Sequence, residues 1–254
     1  MNTWRDKLDI FLAGFDHAKD IAGILVCGSY VTGHPTAHSD LDVHLVLHES
    51  VSYRERGNKI VDGLLIEYFA NPPRQIRAYF DGDLEDRSLM SQVQFATGEI
   101  VLDTDGAVLQ LKQTALAMID GYYQNNAAHM PEDTKYFLWD MRDDLRDAHE
   151  SNRPDFDFLY FNLLDRAVKN YLRCINRPYH LKAIYGHITS DVVRGKYLLR
   201  ELPDAPANAL IVQCIAAVHR DEKLAAFEEL IEAILQKFGG FEVDGFKLKS
   251  DVEV

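Results

Sequence analysis

Cysteine is scarce in this chain, positive charge is in deficit, and no long apolar run occurs. The three cysteines among 254 residues, Cys27, Cys174 and Cys214, are far apart and outside any C-x-x-C pair. An odd, scattered set argues against a disulfide framework or a zinc knuckle, and reads as thiols in a reducing, cytoplasmic setting. Without a run of about 18 apolar residues, no membrane span is expected. Met1 to Phe15 interleaves charged with apolar positions, so a secretory leader is not expected either. The patterns G-x-x-x-x-G-K-[ST], H-E-x-x-H and G-x-S-x-G are missing, which removes the P-loop, zincin and hydrolase readings. Lys and Arg total 27 against 40 Asp and Glu, a formal net charge of −13. Such a surface repels polyanions, disfavours a long nucleic-acid substrate and attracts cationic small molecules.

What the chain does have is the balance of a globular protein, 47% hydrophobic and 26% charged. Thr3 and Asp6 form a capping-box pattern ahead of Trp4, Leu8, Phe11, Leu12 and Phe15, predicting an amphipathic helix over residues 4 to 18. Ile21 to Cys27 is a short apolar run stopped by Gly28, the pattern of a buried strand. From Asp40 to His48 the pattern alternates. Leu41, Val43, Leu45 and Leu47 share one face, and Asp40, Asp42, His44, Val46 and His48 the other, so a strand with one face in the core is expected. Asp62-Gly63 is a two-residue hairpin signal joining strands at Lys59 to Val61 and Leu64 to Phe69. Asn71-Pro72-Pro73 reads as a break. A helix is expected around Ser88 to Ala96 and a strand at Glu99 to Leu102.

Beyond Ala107 the spacing turns helical throughout. Stripes run through Leu138, Met141, Leu145 and Ala148, through residues 157 to 174, 205 to 219, and 222 to 238. The expectation is an α+β protein: a mixed sheet with flanking helices over residues 1 to 115, then a helical bundle over 116 to 254. The boundary falls somewhere in residues 104 to 130, and the tail after Phe241 is expected to be partly mobile.

The stretch from Gly28 to Glu67 carries the chemistry. A strand ends at Gly28-Ser29, ten residues separate Ser29 from Asp40, and Asp40 and Asp42 flank Leu41. Residues i and i+2 of a strand project from one face, roughly 6.5 to 7 Å apart. Two carboxylates so placed repel each other, and a divalent cation accounts for them. Magnesium takes oxygen ligands and is usually held by one or two carboxylates together with substrate phosphates. Glu67, between Ile66 and Tyr68 in a later strand, offers a third oxygen source. Gly28 permits close approach of a phosphate to the backbone, and Ser29, the amides after it and Ser39 offer donors. Each piece alone has a bland reading: a solvated acidic face, a turn, a salt-bridged strand residue. Their order along the chain is more specific than any one of them.

Through Gly28-Ser29, Ser39-Asp40-Leu41-Asp42 and Ile66-Glu67-Tyr68 the sequence resembles the nucleotidyltransferase superfamily related to DNA polymerase beta. The specific match covers about residues 21 to 70. The two-part build resembles the aminoglycoside and lincosamide nucleotidyltransferases. The resemblance implies a mixed sheet with flanking helices, magnesium, and transfer of a nucleoside monophosphate from a nucleoside triphosphate, with ATP the expected donor. The acceptor would be a hydroxyl of a small, cationic, aminoglycoside-like molecule. Asp40, Asp42 and Glu67 would be the catalytic and metal-binding residues, with Glu67 a ligand or the base. Gly28, Ser29 and Ser39 would contact the nucleotide, joined by Lys169 and Lys182 of the helical half, whose bland reading is surface lysine. The loop between Ser29 and Asp40 departs from relatives that place Arg or Lys there, carrying His34, Pro35 and His38 instead.

Asp140, Asp143, Asp144 and Asp147 crowd one helical face, a candidate site for a cationic acceptor or a solvated acidic face beside Arg142 and Arg146. His34, His38, His44 and His48 form a weak transition-metal candidate, because residues four apart on a strand do not share a compact site. Two other readings compete with the leading one. One makes a protein side chain the acceptor, as in short antitoxin-like members, against which the helical half argues. The other is a catalytically inactive nucleotide-binding protein, against which three retained carboxylates argue. Oligomeric state is not legible.

Overall fold

Thr3 caps the first helix by a reciprocal box with Asp6, and α1 (Trp4–Ala13) follows. Gly14 ends it, five residues short of the predicted end, although Phe15 still packs against the same cluster as Leu8 and Phe11. The computed structural model describes residues 3–124 and 128–249. Within them a five-stranded sheet is built from β1 (Ile21–Cys27), β2 (Leu41–Leu47), β3 (Glu55–Val61), β4 (Leu64–Asn71) and β5 (Glu99–Asp103). Its order is β3-β4-β2-β1-β5. Only the β2–β4 pair is parallel; the other three pairs are antiparallel, so the sheet is mixed.

The hairpin turn at Asp62 and Gly63 has φ of 45° and 78°, the two positive values of a type I′ turn, and it pairs Val61 with Leu64. β3 begins at Glu55, earlier than the apolar pattern suggests. Its added residues Glu55 to Asn58 are polar, as suits an edge strand.

β2 differs from the expectation of one core face. Leu41, Val43, Leu45 and Leu47 pack with Leu8 and Phe11 of α1. The opposite face is also covered: Val46 joins the cluster formed by three helices, α3 (Pro73–Glu85), α4 (Met90–Thr97) and α5 (Ala107–Gln124). The intervening short α2 (Ser29–Thr32) follows β1. α3 was not expected, because Pro72-Pro73 reads as a break. Pro73 sits at the first helical position, where its missing N–H costs nothing, and it starts the helix.

Cα proximity divides the chain into two compact units. The first holds the chain up to Gln124 together with Lys196–Leu198, and the second holds the chain up to Gly195 and from Leu199 onward. Residues 125–127, inside the expected boundary range, lie outside the described residues. The second unit is helical: α6 (Glu132–Glu150), α7 (Phe156–Cys174), α8 (Ile184–Thr189), α9 (Asp191–Lys196, whose last residue belongs to the first unit), α10 (Ala205–Ala216) and α11 (Arg220–Lys237). Leu138, Tyr160, Phe227 and Ile231 are among its fully buried side chains. Tyr160 donates from its hydroxyl to the carbonyl of Cys214 at 2.7 Å. In the tail Phe246 stacks on Tyr136 with ring centroids 5.0 Å apart, while Val243 and Leu248 are exposed; the last five residues lie outside the described ones. All three cysteines are buried and none is in a disulfide among the described residues. Among the described residues no helix is long and apolar enough to cross a membrane.

Leu45 is fully buried in β2, between β1 and β4. Leu45→Ala is expected to cost about 2–5 kcal/mol, read from urea unfolding. A loss below about 1 kcal/mol would mean that β2 is not central to the core.

Candidate active site

Gly28 takes φ 79° and ψ −156°, a conformation essentially restricted to glycine. It turns the chain from β1 into α2, and it leaves room for a neighbour: a Cβ there would lie 2.3 Å from a carboxylate oxygen of Asp42. Asp42 stands opposite Cys27 on one side and Glu67 on the other, because β2 pairs antiparallel with β1 and parallel with β4. Asp40 lies just before β2, after a loop tied by the Thr36 N–H donating to Ser39 Oγ at 2.8 Å. Asp40, Asp42 and Glu67 are all half-buried, and each offers one oxygen within 4.8 Å of the others. Among the described residues this is the one such group of three or more potential ligands.

The electrostatics follow from the crowding. Burial, then Asp40, then Glu67 push the Asp42 carboxyl up to about 6, while Lys196 pulls the other way. Burial also pushes the Cys27 thiol well up, with Asp42 and Asp40 adding to it, so the thiol beside the acids stays protonated. Glu67 carries its own partner. Arg56 donates to its Oε1 from Nη2 at 2.5 Å and from Nε at 3.0 Å, which leaves Oε2 without a hydrogen bond. An all-oxygen donor set, three carboxylates deep, suits a hard divalent cation such as magnesium and not a thiolate- or imidazole-seeking metal. Burial and mutual repulsion together lift Asp42, and such a cation would relieve the repulsion.

The other sequence candidates fall out as follows. Ser29 opens α2, half-buried, beside Gly28. Ser39 Oγ accepts the Thr36 amide, so it holds the loop that delivers Asp40. Lys169 on α7 and Lys182 before α8 are exposed and lie in the second unit. His34, His38 and His48 are exposed whereas His44 is buried, and no metal-binding group containing a histidine is found among the described residues. Asp143, Asp144 and Asp147 of α6 are exposed; Arg142 and Arg146 turn to Glu232 and Glu228 of α11.

Two residues of the site escaped the sequence reading. Lys196, in the segment that belongs to the first unit, is the cation acting on Asp42. No motif marks it. Arg56 had a signal: counting back from the two-residue turn puts Asn58 opposite Glu67 and Arg56 one diagonal step further on the same face. The same side of the sheet carries a cavity of about 560 Å³, with His44, Phe69 and Phe95 among its walls.

No protein-family model matches the chain, and comparison with curated proteins finds no match. Among solved structures, the chain is similar to a nucleotidyltransferase-like protein from Exiguobacterium sibiricum 255-15. Identity is 11%, the TM-score 0.42, and the alignment covers 92% of this chain and 75% of that one.

Because Asp42 titrates near 6 in the folded chain and at 3.8 when unperturbed, the folded state holds a proton there that the unfolded state has lost between those values. Stability therefore falls as pH rises through that window, and the cost is complete above it. Asp42→Asn removes the cost. Its thermal midpoint, equal to or below wild type at pH 4, is expected to exceed it by a few degrees at pH 7. A difference that does not change with pH would contradict the shift. Gly28→Ala is expected to cost about 1–3 kcal/mol in backbone strain and to weaken manganese binding, followed by electron paramagnetic resonance, at least ~10-fold. Unchanged affinity would show that Asp42 does not depend on the space at Gly28.

Proposed function

We propose that the chain is a magnesium-dependent nucleotidyltransferase, moving a nucleoside monophosphate from a nucleoside triphosphate, with ATP the expected donor, to a hydroxyl of a small acceptor. The observation that carries this reading is the convergence of Asp40, Asp42 and Glu67 within 4.8 Å, from two paired strands and the loop before one of them. The resemblance of their motifs to the polymerase-beta superfamily supports it.

Each group then has a task. Asp40 and Asp42 hold the cation, and Gly28, having no side chain, keeps the space in which Asp42 sits. A bound magnesium would neutralise phosphate charge and make the acceptor hydroxyl more acidic. Ser29 and the amides after Gly28 face the triphosphate on the β1 side of Asp42, with Ser39 keeping Asp40 in place. Lys196, already close enough to act on Asp42, adds positive charge for the phosphates or the leaving pyrophosphate. Glu67 keeps Oε1 on Arg56 and turns Oε2 to the site, an arrangement that favours a ligand over a base. The formal charge of −13 favours a neutral or cationic acceptor over a polyanion.

The test is calorimetric titration with ATP and magnesium, followed by a screen for pyrophosphate release against hydroxylated acceptors. Asp40→Asn and Asp42→Asn are expected to lower release at least ~100-fold with unchanged circular dichroism. Unchanged turnover in either variant removes the proposed site. Lys196→Ala, run beside Lys169→Ala and Lys182→Ala, shows which cation serves the nucleotide: the expected outcome is a drop of about 10-fold or more for Lys196→Ala. ATP binding without release against any acceptor would favour a nucleotide-binding scaffold instead.

A further inference from the structure

Phe69 follows Glu67 by two residues on β4, and His44 follows Asp42 by two on β2, so the two rings lie on the same sheet face as the acids. They stack, with centroids 5.2 Å apart and planes 24° from parallel. Phe95 of α4 closes on His44 at 4.7 Å. Together with Ile76 and Tyr79 of α3 they wall the 560 Å³ cavity. The cavity adjoins the acids through Arg56, which lines it, lies 4.9 Å over the Phe69 ring and holds Glu67. Gly28 and Ser29 lie on the other side of Asp42, at the end of β1. With the triphosphate beside Gly28-Ser29, in-line attack brings the acceptor from the Glu67 side, the side on which Arg56 joins this cavity to the acids.

Its chemistry is unlike a site for a polycation. The two carboxylates in its wall are engaged: Asp83 accepts the Ser91 amide at 2.6 Å, and Glu55 accepts the Tyr68 hydroxyl at 2.5 Å. Of its two guanidiniums, Arg56 is held by Glu67, while Arg54 donates to the neutral Tyr79 hydroxyl at 2.7 Å, with no acid paired to it among the described residues, and would repel amines. His44 is 7% exposed. Gln94, which also lines the cavity, is the side chain placed to bond its ring, yet among the described residues neither ring nitrogen closes a full hydrogen bond. A buried imidazole so loosely held beside an aromatic-walled cavity has a ring nitrogen to offer a ligand.

We infer that this cavity receives the acceptor, and that the acceptor is a flat aromatic or heteroaromatic alcohol whose ring lies against Phe69 and Phe95, not an amino sugar. The acceptor role rests on the transferase reading; the ring-binding role does not. The ring is held by its faces and by an edge polar atom reaching His44, while the hydroxyl is presented toward Glu67.

Saturation-transfer NMR of the full chain, without nucleotide, tests the ring site with 3-pyridylmethanol and 6-quinolinylmethanol as probes and kanamycin as the polycationic control. Both heteroaromatic alcohols are expected to show transfer to ring protons. Met90→Trp, which fills the cavity from an exposed position, is expected to abolish it. Phe69→Leu, which keeps an apolar side chain and removes the ring face, is expected to weaken it several-fold. Circular dichroism checks that both variants fold. No transfer from either alcohol, or transfer that both folded variants leave unchanged, overturns the ring site. Pyrophosphate release with kanamycin but with neither alcohol overturns the acceptor assignment. Failure of ATP with magnesium to bind the wild type sinks the transferase reading and the acceptor role with it, while the ring site still stands or falls on the NMR result.

Discussion

Asp42 and Glu67 are adjacent because β2 and β4 run parallel in register, and neither side chain can retreat without breaking a ladder that is buried on both faces. Of the four residues flanking the two acids, Leu41, Val43 and Ile66 are fully buried and Tyr68 is half-buried. Apolar packing therefore holds together charges that would otherwise separate, and the strain registers in the raised proton affinity of Asp42. The surrounding residues are arranged around this conflict. Gly28 gives Asp42 space, Arg56 takes half of Glu67, and Lys196 supplies a partial counter-charge.

The chain holds acids in a second place, and the contrast is instructive. On α6, Asp143, Asp144 and Asp147 face water, and the helix needs nothing to offset them beyond solvent. Burial and the neighbouring Asp140 and Asp143 nudge the Asp144 carboxyl upward. The arginines between them cross to α11, so that helix pair is joined by Arg142–Glu232 and Arg146–Glu228. Three exposed acids on a helix make a solvated face. Three acids fixed by buried strands make a place with an appetite for cations.

Much of the fold was legible where a pattern is local. The alternation of β2, the turn at Asp62-Gly63, the glycine stops after β1 and α11, and the stripes of α6, α7 and α11 all depend on residues a few positions apart. Reading failed where tertiary context decides. β2 alternates like a half-buried strand, yet α4 covers its polar face, so His44 is buried among Phe69 and Phe95. Pro72-Pro73 punctuates the chain in either of two ways, and here it begins a helix. At the candidate site, residue types and spacing in the Gly28 to Glu67 stretch were readable. The parallel register that sets Asp42 beside Glu67 was not, since strand order is a property of the folded sheet. Lys196 is more than 120 positions beyond Glu67 and had no local signature at all.

The two-residue turn between β3 and β4 reaches further than its size. Side chains alternate faces along a strand, so the span between Arg56 and Glu67 must keep its parity for the guanidinium to meet the carboxylate. A single residue gained or lost at Asp62-Gly63 would send Arg56 to the side of the sheet occupied by α1, leaving the edge strand intact but the acid without its clamp. Length can change at less cost at the other end of β3, in the segment between β2 and Glu55. The shortest strand-to-strand connection in the first unit is accordingly the least free to drift.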